Sequence, residues 1–246
     1  MFLRQKIELM HGDAKSLCEG LPSDICDMVF TSPPYNMNLR VRNGKHCSRQ
    51  IVKEISTKYK NFDDNIPMDE YHSFNVSIVQ ELLRLAPLVF YNIQFLTGNK
   101  SALFRLIGDL SNHLKEVIIW DKINAQPAIG EGVLNSQFEV ILVFAREDAI
   151  MRQFKNANFE RGTLSNLWSI KRGKKPHKSH GAVFPEELAR KVITNFTWPG
   201  QRVLDPFMGT GTTGVVCAET RRGFLGIEID KDYYDFAKQR IDQATC

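Results

Sequence analysis

The chain reads as an α/β protein with a doubly wound sheet, and three features predict it. Short β-rich runs recur along the 246 residues, and several are apolar almost throughout, as strands covered on both faces should be. Helical periods of three and four separate many of these runs. Near the end of the chain a strand, a glycine-bearing loop and a helix follow one another directly, as in a βαβ unit.

Taken in order, KIELM (6–10) is the first strand, and a helix is expected at Ala14. DMVFT (27–31) is the second strand, and it runs into a proline pair. Tyr71, Phe74, Ile78, Leu82 and Leu85 then mark one face of a helix, followed by strands at LVFYNI (88–93), EVIIWD (116–121) and EVILVFA (139–145). Pro185 stands at a helix start, where its fixed φ suits the first turn, and Leu188, Val192 and Phe196 supply the apolar face. RVLD (202–205), a helix opening at Thr212, FLGIEI (224–229) and a last helix with Tyr234, Ala237 and Ile241 complete the plan. Residues 37–60 and 146–178 interrupt it. Within a single domain spanning 1–246, the first is expected to be a basic loop at the site and the second a target-recognition insertion, since partner specificity concentrates in such segments.

An apolar content of 43% suits one fairly large core and argues against disorder. No 18 apolar residues run together and the first ten residues lack an apolar leader, so the reading expects a cytoplasmic protein with no membrane span. Five scattered cysteines with no C-x-x-C pair are expected to be reduced, packed thiols, with no metal site. The net charge is +4, but its distribution is uneven. Arg40 to Lys60 holds seven Lys/Arg against Glu54 alone, and KRGKKPHK (171–178) adds five with no acid. Two basic segments on an otherwise acidic body suit a polyanion partner, although solvated loops would look the same.

Two stretches carry chemistry. In FTSPPYNM (30–37) the proline pair makes a rigid corner with free carbonyl acceptors and no backbone donors, directly after a buried strand. In RVLDPFMGTGTTGVVCAETRRGFLGIEID (202–230) a strand ends in Asp205, a loop carries Gly209 and Gly211, and Glu228 closes the next strand. Glycines there let backbone N–H groups approach a ligand, and the second acid can accept from ribose hydroxyls. GTGTTG matches the dinucleotide pattern G-x-G-x-x-G. Yet Asp-Pro-Phe-Met precedes the first glycine, and an acid at that spot repels a pyrophosphate and suits a cationic ligand such as a sulfonium cofactor.

TSPPYNM followed far downstream by FPEELARKVI and VLDPFMGTGTT…GIEID resembles the amino-group DNA methyltransferases of the β arrangement, whose catalytic motif precedes the cofactor loop. The likeness covers nearly the whole chain, including LMHGDAKSL and SNLWSI. It implies a Rossmann-like methyltransferase fold with permuted motif order, S-adenosylmethionine as cofactor, no metal, and double-stranded DNA as partner; a cognate restriction endonuclease and a homodimer stay open. It further implies that Ser32 and the Pro33 carbonyl accept from a target exocyclic amine, that Pro34 keeps the corner rigid, and that Tyr35 stacks on an extruded base. Fixed acceptors that draw the amine hydrogens out of plane make its nitrogen more nucleophilic.

For the cofactor the resemblance implies a shell of Asp13, Ala14, Thr31, Asp205, Pro206, Phe207, Gly209, Gly211, Thr212, Glu228 and Ile229. Asp13 reads equally well as the cap of the helix at Ala14. His180, Phe184 and Pro185 of HGAVFP would form the far wall, although many relatives carry H-P-x-Q-K-P there, and His180 also suits an ordinary loop position. Arg40, Arg42, Lys45, Arg49, Lys171, Arg172, Lys174 and Lys175 are the phosphate candidates. Relatives with Ser before the prolines tend to methylate cytosine N4, those with Asp or Asn adenine N6, so Ser32 favours cytosine with adenine as the alternative. Carbon-5 chemistry needs a Pro-Cys nucleophile, and no proline here precedes a cysteine. RNA or protein-glutamine methyltransferases usually place the cofactor loop first, and an inactive DNA-binding module would have lost Ser32, Pro34, Tyr35 or Asp205.

Overall fold

All seven expected strands pair, together with one more, into a single eight-stranded sheet in the computed structural model, which describes residues 6–37, 40–42, 45–47, 66–126, 131–147, 149–173 and 184–245. In chain order the elements are β1 (Ile7–His11), α1 (Ala14–Glu19), β2 (Met28–Thr31), β3 (Arg40–Arg42), β4 (Lys45–Cys47), α2 (Met68–Leu85), β5 (Leu88–Ile93) and α3 (Lys100–Asp109). There follow β6 (Leu114–Gln126), β7 (Ser136–Ala145), β8 (Leu167–Ser169), α4 (Glu186–Phe196), β9 (Arg202–Asp205), α5 (Thr212–Glu219), β10 (Gly223–Glu228) and α6 (Lys231–Ala244).

The sheet runs β1-β10-β9-β2-β5-β7-β6-β8. Its first five strands are mutually parallel, β7 lies antiparallel between β5 and β6, and β8 pairs parallel to β6. The sheet is therefore mixed, with an antiparallel strand set into a parallel sheet as many doubly wound folds have. Helices α1, α2 and α3 pack on one face and α4, α5 and α6 on the other. All four residues of β2 are buried, which explains its uninterrupted apolar run. Along α4 the buried positions Leu188, Ala189, Val192, Ile193 and Phe196 recur at steps of three and four, each large one contributing about 1.5–3 kcal/mol by leaving water.

Four elements lie where the periodicity was silent. The helix α3 has an N-cap residue, Asn99, that makes no capping bond from its side chain, β8 is only three residues long, and β3 and β4 form a two-stranded antiparallel sheet inside the basic segment 37–60. The rest of that segment, apart from Met37, lies outside the described residues, as do 174–178 of the second basic segment. The earlier part of 146–178 packs on the body, with Phe154 and Phe159 edge-on to Phe196 at 4.9 and 5.5 Å between ring centroids. Among the described residues no helix is long and apolar enough to cross a membrane.

The topology decides where a ligand can sit. Strands β2 and β9 are neighbours, but the chain leaves β2 towards β5 and leaves β9 towards β10, with helices on opposite faces. At such a reversal the loops diverge and leave a crevice beyond the carboxyl ends of the strands. Ser32 and Asp205 both stand at that edge.

Candidate active site

On the β9 side, the buried carboxylate of Asp205 ties the two strands together. It accepts from the Thr31 hydroxyl at 2.7 Å, the Thr213 hydroxyl at 2.6 Å and the Phe207 backbone N–H at 3.2 Å. Burial pushes its carboxyl up to about 6, against the opposing pull of those donors. Glu228 closes β10 and accepts from the backbone N–H groups of Gly209 at 2.9 Å and Asp230 at 2.8 Å; burial raises its carboxyl as well, and Asp230 and Asp205 add to the rise. Hydroxyls and backbone amides, not cations, hold both acids. A crevice lined this way is negative and suits a cationic ligand, as the Asp-Pro-Phe-Met order predicts.

The glycines are required by geometry. Gly211 caps α5 at φ 80°, and a Cβ there would lie 2.9 Å from the Cβ of Ala237. In Gly214 a Cβ would meet Ile241 Cδ1 at 2.4 Å, so α6 closes down on the loop and the helix after it. The loop thus forms a tight backbone cradle at a helix start. Pro206 is buried, Phe207 is half-buried beside Phe74 at 6.2 Å between centroids, and Thr212 opens the helix as expected.

On the β2 side, the proline corner is locked from behind. The Tyr71 hydroxyl donates to the Pro34 carbonyl at 2.8 Å, and the Asn99 amide donates to the Tyr35 carbonyl at 2.6 Å. Asn36 adopts φ 51° and exchanges bonds with Ile66 while also donating to the Gly98 carbonyl. Among the described residues no donor meets the Pro33 carbonyl. The Ser32 hydroxyl contacts the Tyr35 hydroxyl at 2.8 Å. Tyr35 is only 6% exposed, and its hydroxyl also lies 3.0 Å from Glu139 Oε2 and 2.9 Å from Asn92 Nδ2.

Asn92, Glu139 and Lys122 were not singled out from the sequence, yet they complete this cluster. Asn92 Nδ2 donates to Glu139 Oε2 at 2.9 Å, and Lys122 Nζ meets Glu139 Oε1 at 3.3 Å with its side chain fully buried. Burial pulls the Lys122 ammonium below its usual range, Glu139 pulls it back up, and the nearby Arg172 pushes it further down. Strand geometry places them together. Phe30, Phe90, Ile141 and Trp120 form one apolar face, and Ser32, Asn92, Glu139 and Lys122 are the next positions on that same face, two residues further along each chain or, for antiparallel β7, two residues back. A signal did exist: a polar residue at the same-face step after an apolar row marks where a buried strand reaches the crevice.

The remaining candidates divide by position. Asp13 caps α1 by accepting from the Ser16 N–H at 2.9 Å and the Ser16 hydroxyl at 2.8 Å, and Ala14 is buried behind it. Ile229 is 39% exposed at the end of β10. Phe184 packs on Phe30 at 4.7 Å between centroids, and Pro185 is the N-cap of α4. Lys171 and Arg172 are exposed, Arg40, Arg42 and Lys45 lie on the β3–β4 hairpin, and Arg49, Lys174, Lys175 and His180 fall outside the described residues. Cys18, Cys26 and Cys217 are buried, and burial pushes the first two thiols up to about 12 and the third also well up, so none of the three is an available nucleophile.

Comparison with known proteins agrees with this geometry. Residues 26–239 match the profile of a DNA methylase family. Type II methyltransferase M.Cfr9I of Citrobacter freundii is 33% identical over 95% of this chain and 87% of its own length. Among solved structures, the cytosine-N4-specific PvuII DNA methyltransferase superposes with a TM-score of 0.70 at 18% identity, covering 100% of this chain and 94% of that one. A complex of M1.HpyAVI with SAM superposes at 0.59 with 23% identity, over 95% and 99% of the two chains. These two structures share the fold. The match across most of the chain, to the family profile and to a relative 33% identical, establishes that this chain belongs to the N6/N4 DNA methylase family and is an S-adenosylmethionine-dependent DNA methyltransferase.

Proposed function

We propose that the protein methylates the exocyclic N4 amine of cytosine in a base turned out of duplex DNA. The observation that carries this reading is the corner itself: Ser32 Oγ and the Pro33 carbonyl, which meets no donor among the described residues, stand at the crevice edge of β2, one residue from the Thr31 bond to Asp205. A hydroxyl and a carbonyl fixed on a rigid turn can accept both hydrogens of an aromatic amine and localise its lone pair. Extrusion costs a few kcal/mol, and stacking on the Tyr35 ring offsets part of it. A serine at the first corner position supports cytosine over adenine, in keeping with the cytosine-N4-specific relative of the same fold.

S-adenosylmethionine, when bound, supplies an electrophilic methyl group on a cationic sulfur. The residues present fit it: two carboxylates held by neutral donors favour a cation, and Gly211, at φ 80° with α6 packed against it, fixes the loop between them. In this assignment Asp205, Pro206, Phe207, Gly209, Gly211 and Thr212 enclose the methionine end. Glu228 faces the ribose, Asp13 and Ile229 border the adenine, and Phe184 with Pro185 forms the far wall. Asp13 already caps α1 through one carboxylate oxygen, so its part is shared between the two tasks. Lys171 and Arg172, with the basic hairpin residues, hold phosphates.

Nucleoside mass spectrometry of DNA incubated with the protein and methyl-labelled cofactor tests the base assignment. Label in N4-methylcytosine is expected. Label in N6-methyladenine overturns the cytosine assignment and leaves the family untouched.

A further inference from the structure

The cluster behind the proline corner has a defined polarity. Glu139 Oε2 accepts from the Tyr35 hydroxyl at 3.0 Å, alongside Asn92 Nδ2 on the same oxygen. That hydroxyl has one proton, and it is now spent. The 2.8 Å contact between the two hydroxyls must then have Ser32 donating to Tyr35. Asn92 strengthens the arrangement, because its Nδ2 donates to both the Tyr35 oxygen and Glu139 Oε2 at 2.9 Å and can accept from neither through that nitrogen. Ser32 Oγ also accepts weakly from Asn92 Nδ2 at 3.4 Å, which leaves it one lone pair for a donor on the ligand. Lys122, fully buried, pairs with Glu139 Oε1 at 3.3 Å and fixes the far end of the chain.

We propose that Ser32, Tyr35 and Glu139 form a proton wire that carries the surplus proton of the target amine out of the crevice, with Glu139 as its terminal acceptor and Lys122 and Asn92 as positioning residues. This rests on the assignment of the proline corner to the target amine. The balance is simple. When the amine nitrogen gains a carbon bond it carries one hydrogen too many. That N–H bond breaks towards Ser32 Oγ, the Ser32 O–H proton passes to the Tyr35 oxygen, the Tyr35 O–H proton passes to Glu139 Oε2, and Glu139 ends as a neutral carboxylic acid. Both hydroxyls end as they began, with their protons exchanged. The same polarity serves before transfer, because it forbids Ser32 from donating to the amine and holds it as an acceptor.

The test uses the full chain, labelled cofactor and a DNA duplex that the wild type methylates. Single-turnover rates in H₂O and D₂O are measured for Glu139→Gln, Tyr35→Phe, the double variant and Ser32→Ala, alongside cofactor and DNA dissociation constants. Glutamine keeps the shape of Glu139 but takes no proton, and phenylalanine keeps the Tyr35 ring for stacking. The wire predicts a rate loss of about 100-fold in Glu139→Gln and in Tyr35→Phe, the scale of general-base catalysis. The double variant should be no slower than either single one, because members of one unit do not add. Both dissociation constants should stay within about threefold of wild type, and the solvent isotope effect of the wild type should vanish in both variants. Rates within about threefold of wild type in Tyr35→Phe overturn the wire, as does a double variant whose losses multiply. Should Glu139→Gln fail to fold because Lys122 is left uncompensated, Tyr35→Phe alone decides. A Ser32→Ala variant that keeps its rate refutes the corner assignment itself; an inactive Ser32→Ala beside active Tyr35→Phe and Glu139→Gln refutes only the wire.

Discussion

On the β9–β10 side of the crevice two acids, Asp205 and Glu228, are balanced by hydroxyls and backbone amides, whereas on the β5–β7 side the one acid, Glu139, faces a buried lysine. The first half keeps its negative charge and bears the cost of it, as the raised carboxyl of Asp205 records. The second half pairs its acid with a cation and stores its asymmetry in hydrogen-bond direction. Under the proposed assignment the contrast matches the two ligands. A cationic cofactor is attracted by net charge, while a neutral base with donors and acceptors on its edge is read by oriented lone pairs, and a net charge beside it would distort that reading.

The largest expected effect separates the halves by chemistry. Ser32→Ala should lower turnover by about 10³-fold, the loss seen when one fixed polar group leaves a reacting centre, with cofactor affinity unchanged. Asp205→Ala should do the reverse and weaken cofactor binding by about 100-fold, since two buried hydroxyls lose their acceptor. Isothermal titration with each variant checks this, and equal cofactor affinity in wild type and Asp205→Ala would break the comparison.

Next comes a pH effect confined to the β9 half. The folded-state value of Asp205, about 6, lies above its ordinary 3.8, so between the two the folded protein holds a proton the unfolded chain has released. Its stability contribution is therefore full below about pH 4 and lost as pH rises through 6. The loss amounts to about 3 kcal/mol. Urea unfolding of the cofactor-free protein between pH 4 and 8 should show that Asp205→Asn lacks this decline. A parallel decline in the variant would place the strain elsewhere.

Gly211→Ala should follow, at about 2 kcal/mol of lost stability, because the added Cβ sits at φ 80° and 2.9 Å from Ala237; thermal melting reads it. Smallest is Lys171→Ala. It should leave the cofactor constant alone and reduce the slope of log DNA affinity against log salt by about 0.9, one phosphate contact. An unchanged slope would remove Lys171 from the DNA face.

The two halves also differ in how far the sequence reveals them. The β9 half is local: Asp205, Gly209, Gly211, Thr212 and Glu228 fall within 24 residues of chain, and each role follows from spacing along one strand–loop–helix–strand unit. The β5–β7 half is assembled from four strands, with Ser32, Asn92, Lys122 and Glu139 brought together only by sheet order. Ser32 was legible because two prolines follow it. The antiparallel insertion of β7 was not legible, and without it Glu139 reads as an ordinary polar strand end. Seven strand positions were readable because burial on both faces makes them apolar; β8, with one buried residue of three, and α3, without a side-chain cap, left no comparable trace. The basic segments were legible only as charge.

The last helix, α6, is coupled to the glycine loop more tightly than its position at the chain's end suggests. Arg240 donates to the Thr210 carbonyl at 2.6 Å and pairs with Glu186 of α4 at 2.7 Å, while Ala237 and Ile241 pack where glycines 211 and 214 leave room. Transient opening of α6 would release the loop, so the two share one local unfolding equilibrium. Whatever binds the loop must draw that equilibrium closed. The amides of the carboxy-terminal helix, which lies behind the loop, should therefore exchange with solvent more slowly when the loop is filled, making α6, under the proposed assignment, a built-in gauge of cofactor occupancy.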